Sequence, residues 1–151
     1  MLRYLIAFLA AFIQTAVCAE TGAVLPLDSF RSNSQLGLLT CSIQMTIAQD
    51  LAKSIELGLR PTEKDLANGD YEKCITTQLA TLVPFYKKAL GSISKKQRAQ
   101  SALKAYYAAW ISSIRGISPA LHELKISYNQ RQAQNTQRLE ELWATIEVEA
   151  Q

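Results

Sequence analysis

Residues 36–57 read LGLLTCSIQMTIAQDLAKSIEL, and the apolar side chains in them return every three or four positions. Leu36, Leu39, Ile43, Ile47, Leu51 and Ile55 form one stripe at helical spacing, with Cys41, Met45, Ala48 and Ala52 on the next. The pattern predicts a helix with one broad buried face. Gly58 and Pro61 stop it.

The same period continues toward the C-terminus. Thr62-Glu63-Lys64-Asp65 reads as a capped start, and Asn68-Gly69 closes that short segment again. Asp70 caps a second long helix that buries Tyr71, Ile75, Leu79, Leu82, Tyr86 and Leu90, with Pro84 inside it as an expected kink. Ser94 caps a third, with Ala99, Leu103, Tyr106, Trp110 and Ile114 on one face before Gly116. Ser118-Pro119 is a cap followed by proline, a strong local start. From there a fourth helix is expected to run to the end with Leu121, Leu124, Tyr128, Gln132, Asn135, Leu139, Leu142 and Ile146 on its inner stripe. No segment alternates with the period of a strand. Residues 36–151 are therefore expected to form one all-α domain, a four-helix bundle or a closely related helical fold.

Toward the N-terminus the reading changes. Residues 20–35 mix Gly22, Pro26, Asp28, Ser29, Ser32, Asn33 and Ser34 without a period, which predicts a flexible leader, with Leu25, Leu27 and Phe30 available to dock on the domain. Residues 1–19 read as a signal peptide: Arg3 supplies a positive start, Leu5 to Val17 an apolar core too short to span a bilayer, and Val17 and Ala19 fit the peptidase pocket. Cleavage is expected after Ala19, giving a periplasmic or secreted protein, not transmembrane after processing. Lipid attachment at Cys18 is disfavoured because Val17 stands where that route takes Gly, Ala or Ser.

Export decides how the cysteines read. Cys18 leaves with the signal, so Cys41 and Cys74 remain as a pair in an oxidising compartment, and a disulfide between them is expected. A plain hairpin of the first two helices would hold those cysteines about 20 Å apart, from the 1.5 Å rise per residue. The connector 59–70 is therefore expected to carry the chain back along the first helix, so that the bridge pins the two helix starts together.

The net charge of +3 is mild, but its distribution is not. Between Glu72 and Glu123 no acid occurs, while Lys73, Lys87, Lys88, Lys95, Lys96, Arg98, Lys104 and Arg115 all do. Lys95, Lys96 and Arg98 fall at the start of the third helix and Glu140, Glu141, Glu147 and Glu149 at the end of the fourth, each against the helix dipole. An antiparallel pair turning at Gly116 would match Glu140 and Glu141 with Lys95, Lys96 or Lys88 in an interhelix clasp. The alternative is a surface for an anionic partner such as lipid headgroups, wall polymer or an acidic protein. In the fourth helix, Gln132 and Asn135 put carboxamides in mid-stripe beside Tyr128 and Arg131, a group suited to a carboxylate or phosphate. Tyr107 stands off the main stripe of the third helix. Lys95, Lys96, Arg98, Tyr107, Tyr128, Arg131, Gln132 and Asn135 are thus the candidate binding residues.

Candidates for chemistry are few. His122 is the only histidine, and neither metal-ligand spacing nor a nucleophile, phosphate-loop or haem-attachment motif is present. The acids lie at helix ends or on polar faces, as do Asp50 and Glu56, which speaks against paired carboxylates cutting wall glycan. No cofactor or metal is expected. The expected function is a non-enzymatic binding or accessory protein of the periplasm that acts through a helical face on a protein partner. A module binding anionic envelope material is the alternative and a cell-wall hydrolase the third. Nucleic acid is not expected as a partner.

Overall fold

Pro26 opens the first helix: its fixed φ suits a helical first turn, where its missing N–H is not needed, and Asp28 follows at the positive end of the helix dipole. The computed structural model describes residues 25–62, 66 and 69–151. Its helices are α1 (Pro26–Glu56), α2 (Tyr71–Ser92), α3 (Gln97–Arg115) and α4 (Lys125–Glu149), and no strand occurs among the described residues. The chain is an all-α helical bundle with one disulfide. The signal segment 1–19, the cleavage point and Cys18 lie outside the described residues, as does most of the short segment begun by Thr62.

Residues 26–35 are helix where a flexible leader is expected from sequence. Ser29, Ser32, Asn33 and Ser34 are indifferent helix formers, but two of them bond back along the turn: Asn33 Nδ2 donates to the Ser29 carbonyl at 2.7 Å and Ser34 Oγ to that of Arg31 at 2.7 Å. Phe30, fully buried, fastens this segment to the core. Burial of one aromatic ring outweighs a few tenths of a kcal/mol of poor propensity at each of these positions.

α1 and α2 are antiparallel neighbours, as are α3 and α4. Along the first pair Phe30 meets Tyr86, Gly37 lies by Gln78 and Cys41 is bonded to Cys74 with Cα atoms 5.6 Å apart. The disulfide joins the middle of α1 to the first turn of α2, where Asp70 accepts from the Lys73 N–H at 3.0 Å as the cap. It does not join two helix starts, because α1 begins at Pro26 and not near Leu36. The returning connector is as expected: Gly69 lies against Ala48 and Leu51 in the later turns of α1. α1 ends at Glu56, followed by Gly58 at φ 79°.

The core is aromatic. Phe30, Tyr86, Tyr106, Tyr107, Trp110 and Trp143 form one continuous ring cluster, with Tyr86 and Tyr107 stacked at 4.1 Å and Tyr106 edge-on to Trp143 at 5.4 Å. Ser34, also fully buried, sits among them: its hydroxyl pairs with Tyr106 OH at 2.8 Å, and its carbonyl accepts from Trp110 Nε1 at 2.8 Å. Every polar group in that knot is satisfied, so it fixes α1 against α3 without a desolvation penalty. Gly37 admits the Trp110 ring; a Cβ there would stand 3.4 Å from that ring and 3.0 Å from Gln78 Oε1.

The inner stripes of α2 and α3 are those the spacing predicts, with Leu82, Ala99, Leu103, Tyr106, Trp110 and Ile114 buried. On α1 the one broad buried face expected from sequence divides. Phe30, Ser34, Gly37, Cys41 and Met45 face inward, while Leu36, Leu39 and Ile43 are 60%, 58% and 52% exposed. A bridged Cys41 and a small Gly37 beneath Trp110 determine the inner side, and a helix cannot also bury the opposite one. α4 is corrected too: Leu121 and Leu124 precede it and are exposed, and its buried side chains are Leu139, Trp143 and Ile146.

Candidate functional site

Arg131 shows first what the candidate residues do. Residues 117–124, of which 119–124 read from sequence as the first turns of a helix, form a non-helical loop between α3 and α4. Arg131, one turn and a half into α4, holds that loop. Its Nη2 donates to the Ser118 carbonyl at 3.1 Å and to Glu123 Oε2 at 2.7 Å, its Nε donates to Glu123 Oε1 at 2.9 Å, and its Nη1 donates to the Gly116 carbonyl. Gln132 Nε2 donates to that same carbonyl at 2.9 Å, and Tyr128 OH to the Ile117 carbonyl at 2.8 Å. The carboxylate that Arg131 is built to grip is one of the chain's own. Glu123 also accepts from the Ala120 N–H at 2.9 Å, and the Arg131 hydrogen bonds, then this one, hold its pKa down to about 2. Ser118-Pro119 thus starts a strapped loop, in which His122 adopts a left-handed φ of 63°. Tyr128, Arg131 and Gln132 are fastenings of that loop; Asn135 lies half-buried on the same side of α4.

Tyr107 is likewise absorbed. Its ring is stacked between Tyr86 and Trp110 in the aromatic core.

Lys95, Lys96 and Arg98 are exposed, but their partners differ from those expected. The loop 117–124 lengthens the turn between α3 and α4, and the register shifts so that Lys96 Nζ donates to the Ala150 carbonyl and Arg98 approaches Glu149 at 3.9 Å. Glu141 accepts instead from Gln137 at 2.8 Å. Glu140 and Glu147 are gripped by Arg31 of α1 at 3.0 and 2.9 Å, and the guanidinium lies 5.0 Å over the Trp143 ring. The acidic end of α4 is clasped by α1 through Glu140 and Glu147, and α3 reaches only its last residues. Because α3 starts at Gln97 with Lys96 as its cap residue, Lys95 and Lys96 precede the helix, and the conflict with its dipole falls mainly on Arg98. Lys87, Lys88, Lys95 and Lys104 form no ion pair among the described residues.

Sequence reasoning missed the outward face of α1 as a surface. Leu36, Leu39 and Ile43 continue on the same side into Ile47, which is half-buried. The signal for it is the charge pattern: from Ser32 to Gln49 the helix carries no Asp, Glu, Lys or Arg. A solvent-facing helix normally carries charge on its outer side; this one carries leucine and isoleucine. Beyond Gln49 the α1 turns border a shallow hollow of about 530 Å³ shared with Pro119, Tyr128 and Asn129. Among the described residues no three His, Cys, Asp or Glu side chains are grouped to hold a metal ion, and no helix is long and apolar enough to cross a membrane.

Compared with protein-family models, curated proteins and solved structures, the chain matches none.

Proposed function

We propose that this chain is an exported, non-enzymatic binding or accessory protein that acts on a protein partner through the outward face of α1. The observation that carries the reading is the charge-free helical surface of Leu36, Leu39 and Ile43. Apolar side chains at such spacing are what a helix offers to another protein, since each removes roughly 1.5–3 kcal/mol worth of surface from water when fully covered. Tyr128, Arg131 and Gln132 support the same reading by being engaged within the chain.

A photo-reactive side chain at position 43 tests it in the exporting cell. Adducts with protein are expected from position 43 and not from position 104 on α3. Adducts confined to position 104, or retention of the chain on envelope material that moderate salt removes, would overturn the reading. They would favour the alternative of an anionic envelope ligand, for which the unpaired Lys87, Lys88, Lys95 and Lys104 are the supporting observation.

A further inference from the structure

The outward face of α1 is nearly its own mirror in sequence. Reversing α1 upon itself at the level of Cys41 sets Leu39 opposite Ile43 and Leu25 opposite Leu57, and brings Leu36 within one position of Ile47. Leu25, Leu36, Leu39, Ile43 and Leu57 are all exposed. At about 100° per residue these side chains cluster about one direction, roughly opposite to that of Cys41. Arg31, taken by Glu140 and Glu147, and Asp50, on the line of the stripe, bound the uncharged run itself, but two charges further out on its flank obey the same operation. Asp28 comes within one position of Lys53, and both lie on the same flank of the stripe.

An interface between two identical chains about a two-fold axis needs this relation: whatever residue i meets at j, j must meet at i. We infer that the occupant of this face is a second copy of the chain, with the two α1 helices antiparallel across a two-fold axis level with Cys41. The inference rests on reading that face as the docking surface. Antiparallel pairing faces Asp28 of each copy with Lys53 of the other, whereas parallel pairing would set Asp28 against Asp28 and Lys53 against Lys53. Lys53 is free to exchange partners, since its contact with Asp50 is a loose 3.7 Å between exposed side chains. The apolar middle, uncharged over about 27 Å of helix at 1.5 Å per residue, faces itself without repulsion in either copy. One helix face lies at the small end of specific interfaces, so the dimer belongs to the micromolar range, about 1–100 µM.

Sedimentation equilibrium of the exported, disulfide-bonded protein across that range tests the inference. A monomer–dimer equilibrium is expected. Ile43→Asp, at an exposed position, should weaken it at least about tenfold with the helical circular dichroism unchanged. Asp28→Lys should weaken it less, and the double reversal Asp28→Lys with Lys53→Asp should restore it. A monomer at every concentration, a dimer indifferent to Ile43→Asp, or a charge reversal that is not rescued would overturn the inference. If the chain is monomeric yet Leu39→Asp, on the same exposed face, abolishes the adducts that position 43 forms with other proteins, the self-pairing falls while the docking surface stands. If those adducts also survive Leu39→Asp, both fall.

Discussion

Arg131 does at residue scale what a short helix would otherwise do. Its guanidinium, one neighbouring amide and one phenol satisfy carbonyls of a loop that has no secondary structure of its own. Arg131→Met removes the donors and leaves the Glu123 carboxylate without its main partner, so a loss of about 1–3 kcal/mol is expected in urea unfolding. Glu123 makes the strap pH-dependent. Its folded pKa, about 2, lies below the ordinary 4.5, so the unfolded chain binds the proton more readily. The contribution is therefore complete above about 4.5 and is lost as pH falls toward 2. Melting temperatures of the native chain and Glu123→Gln should differ at pH 6 and converge near pH 2; a constant gap would contradict the assignment. At the other end of α4, Arg31 serves two carboxylates and a ring. Arg31→Ala should cost more than Glu140→Ala or Glu147→Ala alone, and each pair coupling, being partly exposed, should stay at or below about 1 kcal/mol and shrink with salt.

At the scale of the element, α1 distinguishes what periodicity can and cannot decide. That the stretch is a helix is legible in its spacing, and so are α2, the inner face of α3, the cap at Asp70 and the stop at Gly58. That its apolar side chains do not all share one buried face is not, because the inward side is chosen by partners distant in the chain: Cys74, Gln78 and Trp110. The same cause hides the start of α1, where the burial of Phe30 and Ser34 against α3 overrides local propensity. The α3–α4 loop escapes for a different reason: Ser118-Pro119 has the composition of a helix start, and only Arg131, far along the chain, reveals a strap. Of the candidate binding residues, Tyr107, Gln132 and Asn135 are out of pattern in sequence; the structure stacks the first in the core, bonds the second to the Gly116 carbonyl and leaves the third half-buried. Stability measurements separate the two faces of α1. Ile43→Asp should change unfolding free energy by no more than about 0.5 kcal/mol, whereas Leu103→Ala in the core of α3 should cost about 2–5 kcal/mol.

For the molecule as a whole, the disulfide and the proposed export are linked. Bridges such as Cys41–Cys74 form and persist in oxidising compartments, which agrees with the proposal that the N-terminal residues act as a signal. The mature chain is expected to begin at Glu20, which mass spectrometry of the exported protein checks; a diacylated Cys18 would contradict it. Closing a loop over a sequence separation of 33 contributes about 3–4 kcal/mol in the chain-entropy account. Chemical reduction should lower the unfolding free energy by that order, with the aromatic core shared by all four helices left to hold the fold.

The bridge has a mechanical consequence as well. A pull on the two ends of the chain passes from Cys41 to Cys74 through the sulfur atoms, and the segment between them, which includes the last turns of α1, bears no tension. Stretched as a single molecule, the oxidised protein should come up short of its full contour by about 110 Å, at roughly 3.3–3.6 Å per residue. Reductant added under load should release that length in one step, and the step would report directly which two residues are joined.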